Sequence, residues 1–228
     1  MTGTPRPDAP RLTAVADRAV LVEFDAAISD AGHDAVLRLD QALSAHAVLG
    51  LVETVPAYVS LLVVFDPLMT DHATTIRKID ALLTAPPAQM RDPANYEVAV
   101  CYDGDLAPDL DEVARRAGMS RDAVITAHMA GEYRVFMYGF APGYAYLAGV
   151  PEDIRLDRKE TPLRDVPAGS VLIAGPQCLI STLKMPTGWW IVGRSDAKIL
   201  GDDPDRPFLF DVGDHITFHR VRREALQT

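Results

Sequence analysis

Between Tyr133 and Arg194 the chain interleaves glycine, proline and aromatic residues with apolar runs too short for helices. The stretch opens Tyr133-Arg-Val-Phe-Met-Tyr-Gly-Phe-Ala-Pro-Gly-Tyr-Ala-Tyr and closes Gly188-Trp-Trp-Ile-Val-Gly-Arg194. Glycine admits backbone geometry that a β-carbon forbids, and proline fixes its own φ, so many positions here are specified one by one. Short strands punctuated in this way build a barrel or a sandwich. The aromatic residues among them are suited to the wall of a pocket.

The chain before this stretch has a different rhythm. Ala19–Phe24 reads as a strand, followed by a helix capped by Ser29 or Asp30, with Val36, Leu39, Leu43 and Ala47 at helical spacing and Gly50 at its end. Strands over 51–55 and 58–65, divided by Pro56, precede a helix capped by Thr70 or Asp71 with Ile76, Ile79, Leu82 and Leu83 on one face. The order β-α-β-β-α predicts a small ferredoxin-like α/β sandwich over residues 11–85. Residues 1–10 are expected to be disordered, and the proline-rich 86–95 segment reads as a linker. A strand over 96–102 and two helices, 110–117 and 120–130, lead into the barrel, which is expected to occupy 96–228. The whole is of the α+β class.

The formal net charge of −10 argues against a sequence-independent grip on nucleic acid or an anionic membrane, since both need clustered Lys and Arg. No early apolar run resembles a signal peptide and no apolar stretch is long enough to cross a bilayer, so a cytoplasmic protein is expected. Cys101 and Cys178 lack metal-ligand spacing and read as buried, reduced thiols. Leu110–Ala130 has the outline of a DNA-binding helix-turn-helix, but Arg115, Arg116 and Arg121 are balanced by Asp111, Glu112 and Asp122. Its second helix offers little for phosphates or base edges, and a structural helix pair is the simpler reading. On a strand, His215 and His219 would lie about 13 Å apart, too far to share a metal, and no metal site is expected. Neither a P-loop, a dinucleotide fingerprint nor a serine elbow occurs.

Several residues carry chemistry by type and position. His128, near the end of its helix, could act as a general base or simply answer the helix dipole. Arg158, Arg164 and Arg194 fall in or beside turns, where a guanidinium can hold a carboxylate in two-pronged fashion or pair with a neighbouring acid. Tyr144, Tyr146, Trp189 and Trp190 offer apolar walls with polar edges, or core packing.

The run Gly139-Phe-Ala-Pro-Gly-Tyr-Ala-Tyr-Leu-Ala-Gly-Val-Pro, then Thr161-Pro, Val166-Pro-Ala-Gly-Ser-Val-Leu-Ile-Ala-Gly-Pro-Gln177, Pro186-Thr-Gly-Trp and Gly193-Arg194 resembles the family of the 5-oxoprolinase B subunit. That family is also labelled allophanate hydrolase subunit 1 and sporulation kinase inhibitor KipI. Glu53-Thr-Val-Pro-Ala-Tyr-Val-Ser and Cys101-Tyr extend the resemblance along most of the chain. The resemblance implies a cyclophilin-like barrel after the ferredoxin-like part. It further implies a partner, a homologue of the related C subunit, joined for 5-oxoproline by the A subunit. The implied reaction is opening of a small amide substrate, the 5-oxoproline lactam, driven by ATP held at the level of the complex. Alternatives within the family are a KipI-like inhibitor that binds a sensor histidine kinase and a subunit that acts on a urea- or allophanate-like compound. Carried over by position, the implied catalytic residues are His128 and Arg158, and the implied substrate-binding residues are Gly139, Pro142, Gly143, Tyr146, Gln177, Trp189 and Arg194. The chain departs from the family pattern at Leu163, at Ser181 where a tyrosine is usual, and at Thr187 where a glycine is usual. The last two are expected to alter the pocket floor.

Overall fold

The computed structural model describes residues 9–85 and 91–226, so most of the expected disordered N-terminus and part of the expected linker lie outside the described residues. The chain divides between Asp92 and Pro93 into two compact units.

In the first unit, β1 (Arg11–Val15), β2 (Ala19–Glu23), α1 (Asp30–Ala45), β3 (Leu51–Pro56), β4 (Ser60–Phe65) and α2 (His72–Thr84) follow one another. The sheet runs β1-β2-β4-β3 with every neighbouring pair antiparallel. β2 and β3 flank β4, and α1 carries the chain between them. β1 holds the other edge, in register with β2 from Arg11↔Glu23 to Val15↔Ala19. No strand was expected over Arg11–Val15, because its turn to β2 carries a left-handed alanine, Ala16 at φ 50°, rather than glycine. Ser29 and Asp71 are the caps, accepting bonds from the Gly32 and Thr74 amides. Contrary to expectation, α1 stops at Ala45, with His46 bonded back to Ala42. Gly50 serves the next turn, at φ +76° against Met69 and Thr70. Val20, Val22, Val36, Leu39, Leu43, Leu61, Val63, Phe65 and Ile79 form the core, each worth about 1.5–3 kcal/mol on burial.

The second unit comprises β5 (Asn95–Val100), α3 (Leu110–Ala117), α4 (Arg121–Met129), β6 (Tyr133–Tyr138), β7 (Ala145–Ala148), β8 (Leu163–Val166), β9 (Ser170–Ala174), β10 (Gln177–Ile180), β11 (Met185–Thr187), β12 (Trp190–Arg194) and β13 (His215–Arg220). Seven strands form one sheet in the order β12-β9-β10-β7-β6-β13-β5. It curls until its two edges meet. Cys101, just past β5, exchanges backbone bonds of 2.8 and 2.9 Å with Arg194 at the end of β12, so the barrel is nearly closed. Gly193 makes this seam possible. A Cβ there would lie 2.6 Å from Val100 Cγ1 and 3.1 Å from the Cys101 carbonyl.

The barrel interior takes alternate residues of each strand, among them Val135, Leu147, Val171, Ile173, Cys178, Ile180, Trp190 and Val192. Leu110, Val113, Val124 and Ile125 of α3 and α4 join that cluster, and Gly118 turns the chain between the two helices at φ +67°. Their arginines are spoken for: Arg115 and Arg116 by Glu112, and Arg121 by Asp111. His215 and His219 lie on β13 with exposed side chains. Among the described residues no helix is long and apolar enough to cross a membrane.

Candidate functional site

The residues that point away from the barrel interior build a second, smaller cluster. Leu172 and Ala174 of β9, Leu179 of β10 and Ile191 of β12 pack there with Tyr144, Val166 and Trp189, while Tyr146 and Met185 are partly buried against them. The β8–β11 ribbon contributes Val166 and Met185, so it covers part of this outer face. Trp189 precedes β12 and presents its ring on this side, edge-on to Tyr146 with ring centroids 5.9 Å apart. The Arg158 guanidinium lies 5.6 Å from the Trp189 ring centre. Burial raises the Tyr146 pKa and Arg158 opposes that rise. Gln177 has the same parity on β10 as Leu179, which puts it on this face as well.

Arg158 owes its position to a tightly sewn segment. The Leu156 carbonyl accepts from the Gly175 amide, the Asp157 carbonyl accepts from the Trp190 indole at 2.7 Å, and the Lys159 amide donates to the Gly188 carbonyl at 2.7 Å. Lys159 Nζ reaches Asp109 at 2.6 Å with both side chains nearly buried. Asp109 also accepts the Ile191 amide at 2.7 Å. With its neighbours fixed and its own side chain exposed, Arg158 is free to face solvent. It lines a recess of about 790 Å³ together with Arg116, Arg155, Lys159, Glu112 and Trp190. Arg116 and Lys159 approach the Trp190 ring to 5.0 and 5.6 Å. Hydrogen bonds from Arg115 and Arg116 hold the Glu112 carboxyl down at about 2, so the recess wall is ionised throughout the physiological range.

Gly139, Pro142 and Gly143 shape one end of the outer face. A Cβ on Gly139 would be 3.1 Å from Met137 Cε and 3.8 Å from the Tyr146 ring. Gly143, at φ +72°, fits beneath Leu200 and Thr182, and the Thr182 hydroxyl donates to the Pro142 carbonyl at 2.6 Å. Between them Phe140 stands 76% exposed in a left-handed conformation, edge-on to Tyr144.

The structure thus brings together Arg158, Tyr146, Trp189, Gln177 and Gly139, with Pro142 and Gly143 at one end. Two expected site residues lie elsewhere. His128 is 1% exposed and sits in the barrel interior. Its Nδ1 lies 2.9 Å from the Tyr102 hydroxyl, its Nε2 lies 3.8 Å from Cys178 Sγ, and its ring stacks on Phe218. Burial pushes it down to about 3, so it is a neutral core group that touches no cleft. Arg194 sits at the seam and lines a different recess. Of the two expected floor changes, Thr187 adjoins the site, its hydroxyl accepting the Trp189 amide at 3.1 Å. Ser181 does not: it is buried, accepts the Ser170 amide and donates to the Pro167 carbonyl. Arg116, Arg155, Lys159 and Asp109 belong to the site and were not anticipated. The run Asp157-Arg-Lys159 was the available signal, but its partner Asp109 lies 50 residues away. No group of three or more His, Cys, Asp or Glu that could hold a metal occurs among the described residues.

The family model for the carboxyltransferase domain, subdomain C and D, matches residues 10–210. The 5-oxoprolinase B subunit of Bacillus subtilis (strain 168) is 30% identical over 220 residues, covering 90% of each chain. A putative urea carboxylase of Emericella nidulans is 28% identical over 134 residues, which are 55% of this chain and 11% of that protein. Among solved structures, TTHA0988 superposes with a TM-score of 0.79 at 34% identity over 91% of this chain, which spans only 40% of that longer one. The chain therefore belongs to the family of the carboxyltransferase domain, subdomain C and D, which includes the B subunits of 5-oxoprolinase.

Proposed function

We propose that this chain is the B subunit of an ATP-dependent amide hydrolase of the 5-oxoprolinase type, inactive alone, whose outer-face cleft holds a lactam. The observation that carries the reading is the 30% identity to a 5-oxoprolinase B subunit, along 90% of both chains. The cleft supports it. Opening a lactam builds negative charge on the former carbonyl oxygen, and a group that meets that charge in place lowers the barrier. Arg158, aimed over Trp189 from a stitched segment, is such a group and cannot lose its proton at working pH. Trp189 and Tyr146 supply an apolar wall for a small ring, and Gln177 an amide able to pair with a substrate amide. His128 is left as a core group that supports the barrel behind them.

The same proposal covers the partners. In TTHA0988 the matched part is only 40% of the chain, so there it is joined to further sequence. That supports a separate companion for this chain, which we identify by family as a homologue of the C subunit, together with one of the A subunit. ATP fits the companion better. The recess by Arg158 has four cations, but Lys159 is bound to Asp109 and no glycine-rich loop opening a helix cradles a phosphate. We read the first unit as a ferredoxin-like sandwich whose fourth strand position is filled by β1, and the second as a cyclophilin-like barrel. Buried, unpaired Cys101 and Cys178 support work in a reducing, cytoplasmic setting.

The urea carboxylase match favours a second reading, a urea- or allophanate-like substrate at the same cleft. Both are tested by coexpressing the chain with homologues of the C and A subunits and measuring substrate-dependent ADP release. Release driven by 5-oxoproline supports the first reading, and release driven by urea or allophanate supports the second. A correctly assembled complex silent with all three overturns both and favours the kinase-inhibitor alternative.

A further inference from the structure

Arg194 ends β12 at the seam of the barrel, and its surroundings are built more carefully than a surface arginine needs. Its stem lies on Gly169, which takes φ +80°. A Cβ at that glycine would be 3.1 Å from Arg194 Cδ and 2.3 Å from the Ser195 carbonyl. The turn holding Gly169 is pinned from several sides. The Gly169 amide donates to the Ser181 carbonyl at 2.6 Å, the Ser195 amide donates to the Gly169 carbonyl at 2.8 Å, and Ser181 Oγ ties Ser170 to Pro167. Ser181 therefore acts on this turn and not on the cleft by Arg158.

The guanidinium held in this way lacks a counter-ion. Arg194 forms no side-chain hydrogen bond or ion pair among the described residues, and its Nε is buried without a partner. Burial draws its pKa below the usual arginine value while Asp105 pulls it back up. Asp105 is itself taken by a direct ion pair with Arg223. A half-buried cation without a partner costs stability, and such a group persists where a ligand supplies the missing charge. Beside it lies a recess of about 490 Å³ walled by Leu106, Ala168, Gly169, Ala197 and Leu226.

We propose that this seam recess is a second binding site, taking a small monocarboxylate with Arg194 as its anchor. The guanidinium offers a two-pronged match to a carboxylate, and the apolar walls accept a short carbon skeleton. The charge balance selects one negative charge over several, because Arg194 and Arg223 are already faced by Asp105 and Asp196. Phosphates are therefore poor ligands. The site is separate from the Arg158 recess, with which it shares no lining residue. Trp190 and Arg194 stand at opposite ends of β12, about 13 Å apart by the rise of a strand.

Calorimetric titration of the isolated chain at low salt with acetate, 5-oxoproline and inorganic phosphate tests this. Both carboxylates are expected to bind, with phosphate weaker by roughly tenfold or more. Arg194→Gln should weaken the carboxylates by roughly tenfold, and Arg158→Gln should leave them unchanged. Ala168→Phe, on the exposed rim, fills the recess without touching Arg194 and should abolish the same binding if Arg194→Gln does not fold. Carboxylate binding that survives either folded variant, binding of phosphate as tight as acetate, or no carboxylate binding to the wild type overturns the proposal. The choice of 5-oxoproline rests on the proposed reaction and acetate does not. A chain that binds acetate but assembles into a complex inactive on 5-oxoproline loses the reaction and keeps the site.

Discussion

The two faces of the barrel wall share strands and backbone and differ only in which alternate residues they receive. Inward go Val171, Ile173, Cys178, Ile180, Trp190 and Val192; outward go Leu172, Ala174, Leu179 and Ile191, with Tyr146 and Trp189 beside them. The inner face is dry and its polar groups are silenced. His128 is held neutral, and burial pushes the Cys178 thiol and the Tyr102 and Tyr133 hydroxyls far above their usual values. The outer face has the same apolar floor but keeps a cation at its rim. Reactivity in this molecule thus follows which way the pleat turns a residue and not how unusual the residue is.

That contrast can be broken most decisively at adjacent tryptophans. Trp190→Ala removes a buried ring and the bond to the Asp157 carbonyl, and should cost about 3–5 kcal/mol in denaturant unfolding. A loss below about 1 kcal/mol would mean the interior does not carry the fold. Asp109→Ala leaves Lys159 without its partner and the Ile191 amide unbonded. It should cost about 3 kcal/mol and lower activity as well, because it frees the segment that aims Arg158. His128 sharpens the comparison through pH. Between its unfolded value of 6.5 and its folded value of about 3, the unfolded chain binds a proton there that the native chain refuses. Stability should therefore fall on acidification across that window, by up to about 1.4 kcal/mol per pH unit. His128→Gln should lose this slope, seen as a stability gap to wild type that narrows from pH 6.5 downward. On the outer face, Arg158→Ala should lower activity of the assembled complex by roughly tenfold or more while unfolding shifts by less than about 0.5 kcal/mol. Full activity in that variant would remove Arg158 from the site.

Much of this was legible because it is local. Helical spacing marks α1 and α2, and Ser29, Asp71 and Ser120 each cap the helix they precede. The glycine-rich turn from Gly139 to Gly143 announces itself by composition. What could not be read depends on register and strand length. Nothing in His128 itself tells that α4 turns it toward Cys178 and Phe218. Arg158 and Arg194 look alike in sequence, yet the length of β12 puts them in separate recesses. Asp109 escaped notice because its lysine partner is distant along the chain, and β1 because its turn uses Ala16 where glycine is customary.

The parallel pairing of β5 with β13 has a consequence for how the protein is made. Asn95 lies opposite His215 and Val100 opposite Arg220, so the first strand of the second unit meets its mate only after some 120 intervening residues have been synthesised. Contacts of such sequence separation form slowly. While the nascent chain waits on the ribosome, one side of β5 stays without its ladder, a window in which an unpaired strand invites aggregation. The first unit is spared that wait, since its last sheet contact is made once Phe65 has emerged. Expression at lower temperature, or beside a chaperone that shields β5, should raise the soluble yield of the second unit more than that of the first.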